Sequence, residues 1–152
     1  MNFPEGYLRG LTVTRLQRHF PNLVPGQNFE FTSLKTDDYN CVAWSTEIED
    51  EWIDFPYDEQ GNYDDNIDKY ITYFKNLGFV EIKDSNPEDG VSKIAIYGDN
   101  ENNFKHVARL LPNGKWTSKI GDWEDIQHDT LEALSGNSYG HPILLMQKKT
   151  ES

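Results

Sequence analysis

The strongest constraint on the fold is a change in hydrophobic periodicity at Gly78. Between residues 65 and 77, apolar side chains recur every three or four positions, as on one side of a helix: Ile67, Tyr70, Ile71, Phe74 and Leu77. Acidic residues in the first turn and Gly78 after the last turn are typical of the two ends of a helix. After Gly78 the sequence instead shows short apolar runs that predict strands, at 79–82, 93–97, 104–111, 116–120 and 142–147.

A second helix is predicted around the single cysteine of the chain. Asp37 or Asp38 can begin it, because their side chains accept hydrogen bonds from the free amides of a first helical turn. Cys41, Trp44 and Ile48 then share one face, since they are separated by helical spacings. Cys41 is therefore expected near the start of this helix.

Two less regular segments also predict helices. Residues 12–20 carry apolar side chains roughly on one side before Pro21 ends the segment, and residues 124–134 form a last helix among the later strands. Helices that come first and consecutive strands that come later favour an α+β fold, in which helices pack on an antiparallel sheet. With 152 residues and neither a repeat nor a flexible linker, the chain is predicted to form a single domain over 1–152.

The charge of the chain limits its partners. It has 26 Asp and Glu residues against 14 Lys and Arg, a formal net charge of -12. Without a local basic patch, such a chain is expected to bind neither nucleic acid nor an anionic membrane, whereas a basic protein remains an acceptable partner. No ordinary signal peptide and no apolar run of about 20 residues is visible, so a cytoplasmic location is expected, with export by a dedicated secretion system left open.

The composition also argues against metals and other cofactors. One cysteine cannot form an internal disulfide, and it excludes a cysteine-rich zinc site. His19 and His141 have no partner at metal-ligand spacing, and the acidic segments 58–68 and 99–103 lack the pattern of a calcium-binding loop. Cys41 is left as either a buried apolar residue or a nucleophile.

A hairpin around residues 111–115 decides which side chains share a face. Its proline, asparagine and glycine suit a three-residue loop with a bulge, in which Leu110 opposes Trp116 and Ala108 opposes Ser118. One face then carries the more apolar set: His106, Ala108, Leu110, Trp116, Ser118 and Ile120. The other face carries Lys105, Val107, Arg109, Lys115, Thr117 and Lys119. His106 is therefore expected to face the core, on the side of the sheet that receives the helix with Cys41.

This placement suggests thiol chemistry. Amides and the dipole at a helix start stabilise a thiolate at Cys41, and an imidazole at His106 can hold that thiolate or take the proton of the thiol. Ser118 is the best placed side chain to orient the imidazole, and Trp44, Trp116 and Trp123 are candidates for a substrate-binding wall. Each of these residues also has an ordinary interpretation as a core or sheet residue.

Several sequence blocks point to a family. The chain contains NCVAW, KIAIY, HVARLLPNGKWTSKIG, DIQH and YG, a combination that resembles an uncharacterised bacterial domain family. Their order, with a cysteine at a helix start and a histidine on a strand, also resembles papain-like thiol hydrolases of the NlpC type. The resemblance implies a papain-like core over roughly 37–148, with Cys41 and His106 as catalytic residues and the polar third position about where Ser118 stands.

The same resemblance adds two residues to the candidate site. Lys119 and His128, which lie in SKIG and DIQH, match the uncharacterised family, and they are candidates for binding a substrate carboxylate or for completing the site. A surface lysine and a helix histidine are the ordinary interpretations of these two residues. The expected function is a cysteine-dependent hydrolase or transferase that acts on an amide, peptide or acyl bond. The alternatives are a noncatalytic acidic interaction module on a papain-like scaffold, and a secreted effector or toxin.

Overall fold

A computed structural model describes residues 13–24, 26–33, 37–120 and 124–150. Its helices are 13–19 (α1), Cys41–Ser45 (α2) and Ile67–Asn76 (α3), with a 3-10 helix at Leu131–Leu134. Its strands are Phe29–Phe31 (β1), Val80–Ile82 (β2), Val91–Gly98 (β3), Phe104–Leu110 (β4), Trp116–Lys119 (β5), Asp125–His128 (β6) and His141–Lys149 (β7).

The strands of the described residues form one seven-stranded sheet in the order β1-β6-β5-β4-β3-β7-β2. Every paired neighbour runs antiparallel. The predicted α+β class is therefore confirmed. The predicted strands correspond to β2, β3, β4, β5 and β7, whereas β1 and β6 do not follow from the sequence patterns.

Helix α3 confirms the prediction made from the apolar stripe. Asn66 caps its start by accepting a hydrogen bond from the amide of Asp68 at 2.8 Å. Gly78 ends it with a φ of 106°, a left-handed value that glycine adopts without strain. Tyr70 and Phe74 are buried on its inner face.

Two other helix predictions need correction. The predicted helix from Asp37 or Asp38 is shorter, because Asn40 caps the helix directly before Cys41. The predicted helix over 124–134 is wrong. Residues Asp125–His128 form β6, whose two edges pair with β1 and β5, and only Leu131–Leu134 is helical. The strands on both sides form hydrogen bonds with the backbone N–H and C=O groups of this segment, which favours a strand over an isolated helix. Of the predicted helix over 12–20, residue 12 lies outside the described residues, and 13–19 are helical.

The predicted hairpin between β4 and β5 is present. Leu110 pairs with Trp116 and Arg109 pairs with Thr117, as the turn chemistry implies. Gly114 has a φ of 86° and donates its amide hydrogen to the carbonyl of Leu111 at 3.0 Å. Within the described chain the ladder of these two strands consists of those two pairs, so the predicted pairing of Ala108 with Ser118 is not part of it.

Both faces of the sheet are covered. On one face, α1 and the 3-10 helix pack on alternate strand residues to form what we call the first core, which includes Leu16, Phe20, Leu134, Tyr97, Ala108 and Trp116. On the other face, α2 and α3 pack on the intervening residues to form the second core, which includes Val42, Tyr70, Phe74, Ile96 and Val107. The sheet is therefore the middle layer of the described fold.

Candidate active site

A chain of three polar side chains crosses the middle of the sheet on the first-core face. His106 on β4, Ser118 on β5 and His128 on β6 are each 0% exposed. Nε2 of His106 lies 2.9 Å from Oγ of Ser118, and that oxygen lies 2.8 Å from Nε2 of His128. The predicted burial of His106 and its proximity to Ser118 are thus present in the structure.

The backbone fixes the direction of these hydrogen bonds. Nδ1 of His128 lies 2.8 Å from the carbonyl oxygen of Thr130, which can only accept, so Nδ1 carries the hydrogen. Neutral His128 then has an acceptor at Nε2, and Ser118 donates its hydroxyl hydrogen to it. The Ser118 oxygen in turn accepts the hydrogen on Nε2 of His106. This tautomer leaves Nδ1 of His106 unprotonated, and that atom has no hydrogen-bond partner in the part of the chain that the structure describes.

Aromatic rings enclose His106. The ring of Tyr139 stacks on the imidazole with a centroid distance of 4.3 Å and an interplanar angle of 9°. Tyr97 meets the same imidazole edge-on at 5.3 Å, and its hydroxyl donates to the carbonyl of Leu131 at 2.6 Å. The imidazole is therefore held in an apolar environment.

This environment keeps both histidines neutral. Burial lowers the pKa of His128 to about 4. Burial, and to a smaller extent the charge of His128, lowers the pKa of His106 well below that of a free histidine. At physiological pH, His106 is therefore a neutral base rather than an imidazolium.

Cys41 begins α2, as the sequence predicts. The side chain of Asn40 accepts a hydrogen bond from the amide of Ala43 at 3.2 Å and donates one to the carbonyl of Ile53 at 2.7 Å, which fixes the start of the helix. Burial raises the pKa of the Cys41 thiol to about 11, although backbone hydrogen bonding from Val107 and the charge of Lys119 act in the opposite direction. The thiol is therefore protonated at neutral pH.

Helix α2 packs on the opposite face of the sheet from the one predicted. Its Trp44 donates the indole hydrogen to the hydroxyl of Thr117 at 2.9 Å, and Arg109 donates to the carbonyl of Trp44 at 3.4 Å. The Arg109 guanidinium also lies 5.0 Å from the centre of the Trp44 ring. Thr117 and Arg109 therefore bind the helix through polar contacts on the face that the sequence assigned away from His106, and the prediction of a shared face was wrong.

Cys41 nevertheless lies close in the fold to His106. Its side chain packs against the second core, and its thiol is hydrogen-bonded by the backbone of Val107, the residue directly after His106. Val107 lies outside the ladder between β4 and β5, because the two pairs of that ladder involve Arg109 and Leu110 of β4. Within the described residues no hydrogen bond joins the Cys41 sulfur to either nitrogen of His106. Cys41 and His106 are thus linked through Val107, which contacts the thiol and directly follows His106 in β4, but the two side chains are not joined by a hydrogen bond in the described structure.

The predicted substrate-binding residues do not form one surface. Trp116 pairs with His128 across β5 and β6, and both belong to the first-core face. Trp44 and Lys119 belong to the second-core face, and Trp123 lies outside the described residues. The two groups are separated by the sheet itself, because alternate residues of a strand point to opposite sides.

Lys119 is buried rather than at the surface. Its Nζ lies 5.4 Å from the centre of the Tyr39 ring, and the residue pairs across the sheet with Asp125. The hydroxyl of Tyr39 donates to Asp125 at 2.5 Å. Burial raises the pKa of Asp125, although the Tyr39 hydrogen bond and Lys119 oppose this shift. These contacts give Lys119 a buried polar environment on the side of the sheet that carries α2.

Sequence reasoning missed Tyr139 and Tyr97, the two rings that enclose His106. The available signal was Gly140, which follows Tyr139 in the YG block. A Cβ atom on Gly140 would lie 2.2 Å from the carbonyl oxygen of Gly98, and its φ is 69°. Only glycine permits this close approach between the residue after Tyr139 and the end of β3.

Comparison with family models assigns the chain. The model of a domain of unknown function, DUF7689, matches residues 30–147. The chain belongs to the DUF7689 family. This match confirms the expected membership of an uncharacterised domain family, and its range begins ahead of the motif blocks. Comparison of this DUF7689 domain with curated proteins and with solved structures finds no match.

The described residues of the DUF7689 domain contain neither a membrane-spanning helix nor a cluster of metal ligands. In the residues for which the structure is described, no helix is long and apolar enough to cross a membrane. Across the same ranges, no group of three or more His, Cys, Asp or Glu side chains is arranged to hold a metal ion.

Proposed function

We propose that this DUF7689 domain is a cysteine-dependent hydrolase or acyltransferase that acts on an amide, peptide or acyl bond, with Cys41 as nucleophile and His106 as base. One observation carries the proposal. Nδ1 of the buried His106 imidazole has no hydrogen-bond partner among the described residues, its other nitrogen is held by Ser118, and the next residue of β4 contacts the only sulfhydryl. The papain-like relationship belongs to this proposal, because the order of helix-start cysteine, strand histidine and polar residue on the following strand supports it.

The reaction follows from these groups. As the Cys41 sulfur attacks the substrate carbonyl carbon, its proton passes to Nδ1 of His106. The tetrahedral intermediate collapses with cleavage of the bond to the leaving group, which takes that proton. Water, or an acceptor hydroxyl or amine, then attacks the thioester carbonyl carbon and gives its proton to Nδ1. The second tetrahedral intermediate collapses with cleavage of the bond between carbon and sulfur, which releases the acyl product, and the proton on Nδ1 returns to the Cys41 sulfur. Cys41 packs against the second core and the His106 ring lies on the first-core face, so the first step requires the sulfur and Nδ1 to meet beyond the end of the β4–β5 ladder, whose two pairs involve Arg109 and Leu110.

The resting pair is neutral in this proposal. The pKa of the thiol is raised and that of His106 is lowered, so proton transfer accompanies attack instead of preceding it. This distinguishes the DUF7689 domain from thiol enzymes whose cysteine is already a thiolate at neutral pH.

Acylation of Cys41 tests the proposal. The folded domain is incubated with p-nitrophenyl acetate, and peptide mass spectrometry measures acetyl transfer to Cys41. We expect acetylation in the wild-type domain and its loss in His106→Ala. The matched control is His141→Ala, which removes an exposed histidine and should acetylate at the wild-type rate. Equal acetylation of Cys41 in the wild-type and His106→Ala domains would overturn the assignment of His106 as base, and Cys41→Ser identifies acetylation at other groups.

A second candidate function, binding of a basic partner, is favoured by the segment 47–68. This segment has ten Asp and Glu residues and no Lys or Arg. Three of its aromatic side chains are exposed: Trp52 at 48%, Tyr57 at 64% and Tyr63 at 71%. A bridge between Tyr57 and Tyr63 and two hydrogen bonds from the Lys69 ammonium to the carbonyls of Phe55 and Tyr57 hold the backbone. Exposed rings among carboxylates suit arginine side chains, which pair with acids and stack on aromatic faces.

Binding of a synthetic arginine-rich peptide tests this second function. We expect saturable binding in a fluorescence anisotropy titration, weakened by added salt and by the double change Tyr57→Ser and Tyr63→Ser. Cys41→Ser should bind as the wild-type domain does. Binding that is insensitive to both tyrosines would show only a general attraction to a chain of net charge -12 and would contradict a specific surface.

A further inference from the structure

The proposed site requires a group that sets the direction of the hydrogen bond between Ser118 and His106. A serine hydroxyl can donate or accept a hydrogen bond, so Ser118 by itself does not determine which nitrogen of His106 carries the hydrogen. If the hydroxyl donated to Nε2 of His106, the hydrogen of the neutral ring would move to Nδ1, and the proposed base would be blocked. Some other group must therefore set the direction of the Ser118 hydroxyl.

His128 is that group in the geometry. The carbonyl of Thr130 fixes the hydrogen on Nδ1 of His128, at 2.8 Å, so that Nε2 of His128 can only accept. The Ser118 hydroxyl lies 2.8 Å from this nitrogen and donates to it. Its oxygen is then left to accept from His106 at 2.9 Å. One backbone carbonyl thereby sets the tautomer of a histidine two strands away.

We infer that His128 is a positioning residue that holds His106 in the tautomer with an unprotonated Nδ1, by acting through the Ser118 hydroxyl. The statement about the tautomer concerns the resting protein, whereas its catalytic consequence rests on the proposed function. His128 does not contact the reacting atoms and does not exchange its proton. When Nδ1 of His106 gains a proton during attack by Cys41, the hydrogen bond from Nε2 to Ser118 becomes charge-assisted, and its acceptor is already oriented.

The sequence allows three interpretations of His128: a ligand of a substrate carboxylate, a group that completes the site, and an ordinary helix residue. This inference specifies the second of them and excludes the other two. The residue lies on a strand rather than a helix, and it is 0% exposed. Both of its ring nitrogens are engaged within the protein, by Ser118 and by Thr130. A substrate carboxylate would have to displace one of these bonds, so a binding role does not fit the contacts.

Nitrogen NMR of the histidine rings tests the inference directly. In the protein labelled with ¹⁵N at histidine, long-range proton–nitrogen spectra distinguish a protonated ring nitrogen from an unprotonated one. For the wild-type protein at pH 7.5 we expect His106 protonated at Nε2 and His128 protonated at Nδ1. In His128→Phe, which removes the acceptor, we expect the His106 signal to shift toward the opposite tautomer. A wild-type spectrum with the hydrogen on Nδ1 of His106, or an unchanged tautomer in His128→Phe, overturns the inference.

A conservative variant separates positioning from loss of packing. In His128→Gln, the side-chain amide can donate to Thr130 while its oxygen accepts from Ser118, so the wild-type tautomer of His106 should be restored. If His128→Phe does not fold, the wild-type protein, His128→Gln and Ser118→Ala still decide the matter, because the first two should share one tautomer and the third should lose it. His141→Gln is the matched control and should leave the His106 signals unchanged.

The reaction with p-nitrophenyl acetate adds a functional readout. His128→Phe should acetylate Cys41 about 100-fold more slowly than the wild-type protein, because the wrong tautomer removes a base whose contribution is about 10² to 10⁴-fold. His128→Gln should retain most of the rate. A wild-type protein that shows the expected tautomer but acetylates Cys41 independently of His106 contradicts the proposed function alone. An unexpected tautomer, together with acetylation that depends on His106, contradicts this inference alone.

Discussion

The indole N–H of Trp44 donates to the hydroxyl of Thr117 at 2.9 Å, and this bond attaches α2 to the centre of β5. Thr117 is buried, and Arg109 completes the attachment by donating to the carbonyl of Trp44. Because α2 has only five residues, its position depends on such tertiary contacts more than on helix propensity. The Cys41 sulfur therefore owes its location beside β4 to side chains on two strands.

Thr117→Val tests this attachment. The change keeps the shape of the side chain but leaves the Trp44 N–H without its acceptor, so we expect the free energy of unfolding to fall by about 1 to 2 kcal/mol. Urea denaturation followed by tryptophan fluorescence measures the loss. Thr72→Val is the matched control, since Thr72 is exposed on α3 and its change should have little effect. Equal stability of Thr117→Val and the wild-type protein would show that α2 is held by other contacts.

Gly140→Ala should destabilise the fold strongly. The added Cβ would lie 2.2 Å from the carbonyl oxygen of Gly98, and the φ of 69° is itself unfavourable for alanine. The left-handed backbone costs about 1 to 2 kcal/mol and overpacking about 1 to 3 kcal/mol, so we expect a loss of about 2 to 4 kcal/mol in urea denaturation.

Gly26→Ala provides the control for backbone conformation. Gly26 has a similar φ of 74°, but a Cβ atom there would meet nothing within 4 Å. This variant should lose only the conformational part, about 1 to 2 kcal/mol. If the two variants lose the same stability, the contact between Gly140 and Gly98 is not as tight as described.

The predictable parts of the fold are those with local causes. The apolar stripe of α3 and Gly78 after it lie within one short stretch, so a single periodic pattern identifies the helix. The hairpin register likewise depends on the few residues around Gly114, and it places Leu110 opposite Trp116 as predicted. The contact of His106 with Ser118 fits the same parity, because both belong to the face that the hairpin defines.

The unpredicted parts depend on partners distant in sequence. The segment Asp125–His128 becomes a strand because β1, about a hundred residues earlier, supplies its second edge. The face of the sheet on which α2 packs depends on Thr117 and Arg109. Their polar side chains are expected at the solvent-exposed face from the sequence pattern, but in the fold they bind Trp44 of α2. The position of Cys41 relative to His106 therefore required the three-dimensional arrangement.

Cys41 should react slowly with alkylating reagents in the absence of an acyl substrate. Its pKa is raised to about 11, whereas a free cysteine has a pKa of about 8.5. The thiolate fraction at pH 7.5 is then about two orders of magnitude lower in the folded protein. We expect iodoacetamide labelling of the folded protein to be correspondingly slower than labelling of the same chain unfolded in urea, and to keep rising above pH 9. A labelling rate that levels off near pH 7 would contradict a neutral resting thiol.

Acid should destabilise the protein through its buried histidines. Burial lowers the pKa of His128 from 6.5 to about 4, so the unfolded chain binds the proton more readily than the folded protein between these values. The contribution of neutral His128 to the free energy of unfolding is therefore fully present above pH 6.5 and is lost as the pH falls toward 4. At about 1.4 kcal/mol per pKa unit, His128 alone accounts for roughly 3 kcal/mol, and the lowered pKa of His106 acts in the same direction.

Urea denaturation at pH 7.5, 6.5, 5.5 and 5.0 measures this dependence. The wild-type protein should lose stability steadily below pH 6.5, and His128→Gln should lose less over the same interval because its amide does not titrate. His141→Gln, which changes an exposed histidine, should follow the wild-type curve. A wild-type stability that is flat between pH 7.5 and 5.0 would mean that the buried histidines accept protons as readily in the folded protein as in the unfolded chain. That result would contradict the row of hydrogen bonds that joins neutral His106, through Ser118 and neutral His128, to the carbonyl of Thr130. The measurement does not depend on any activity.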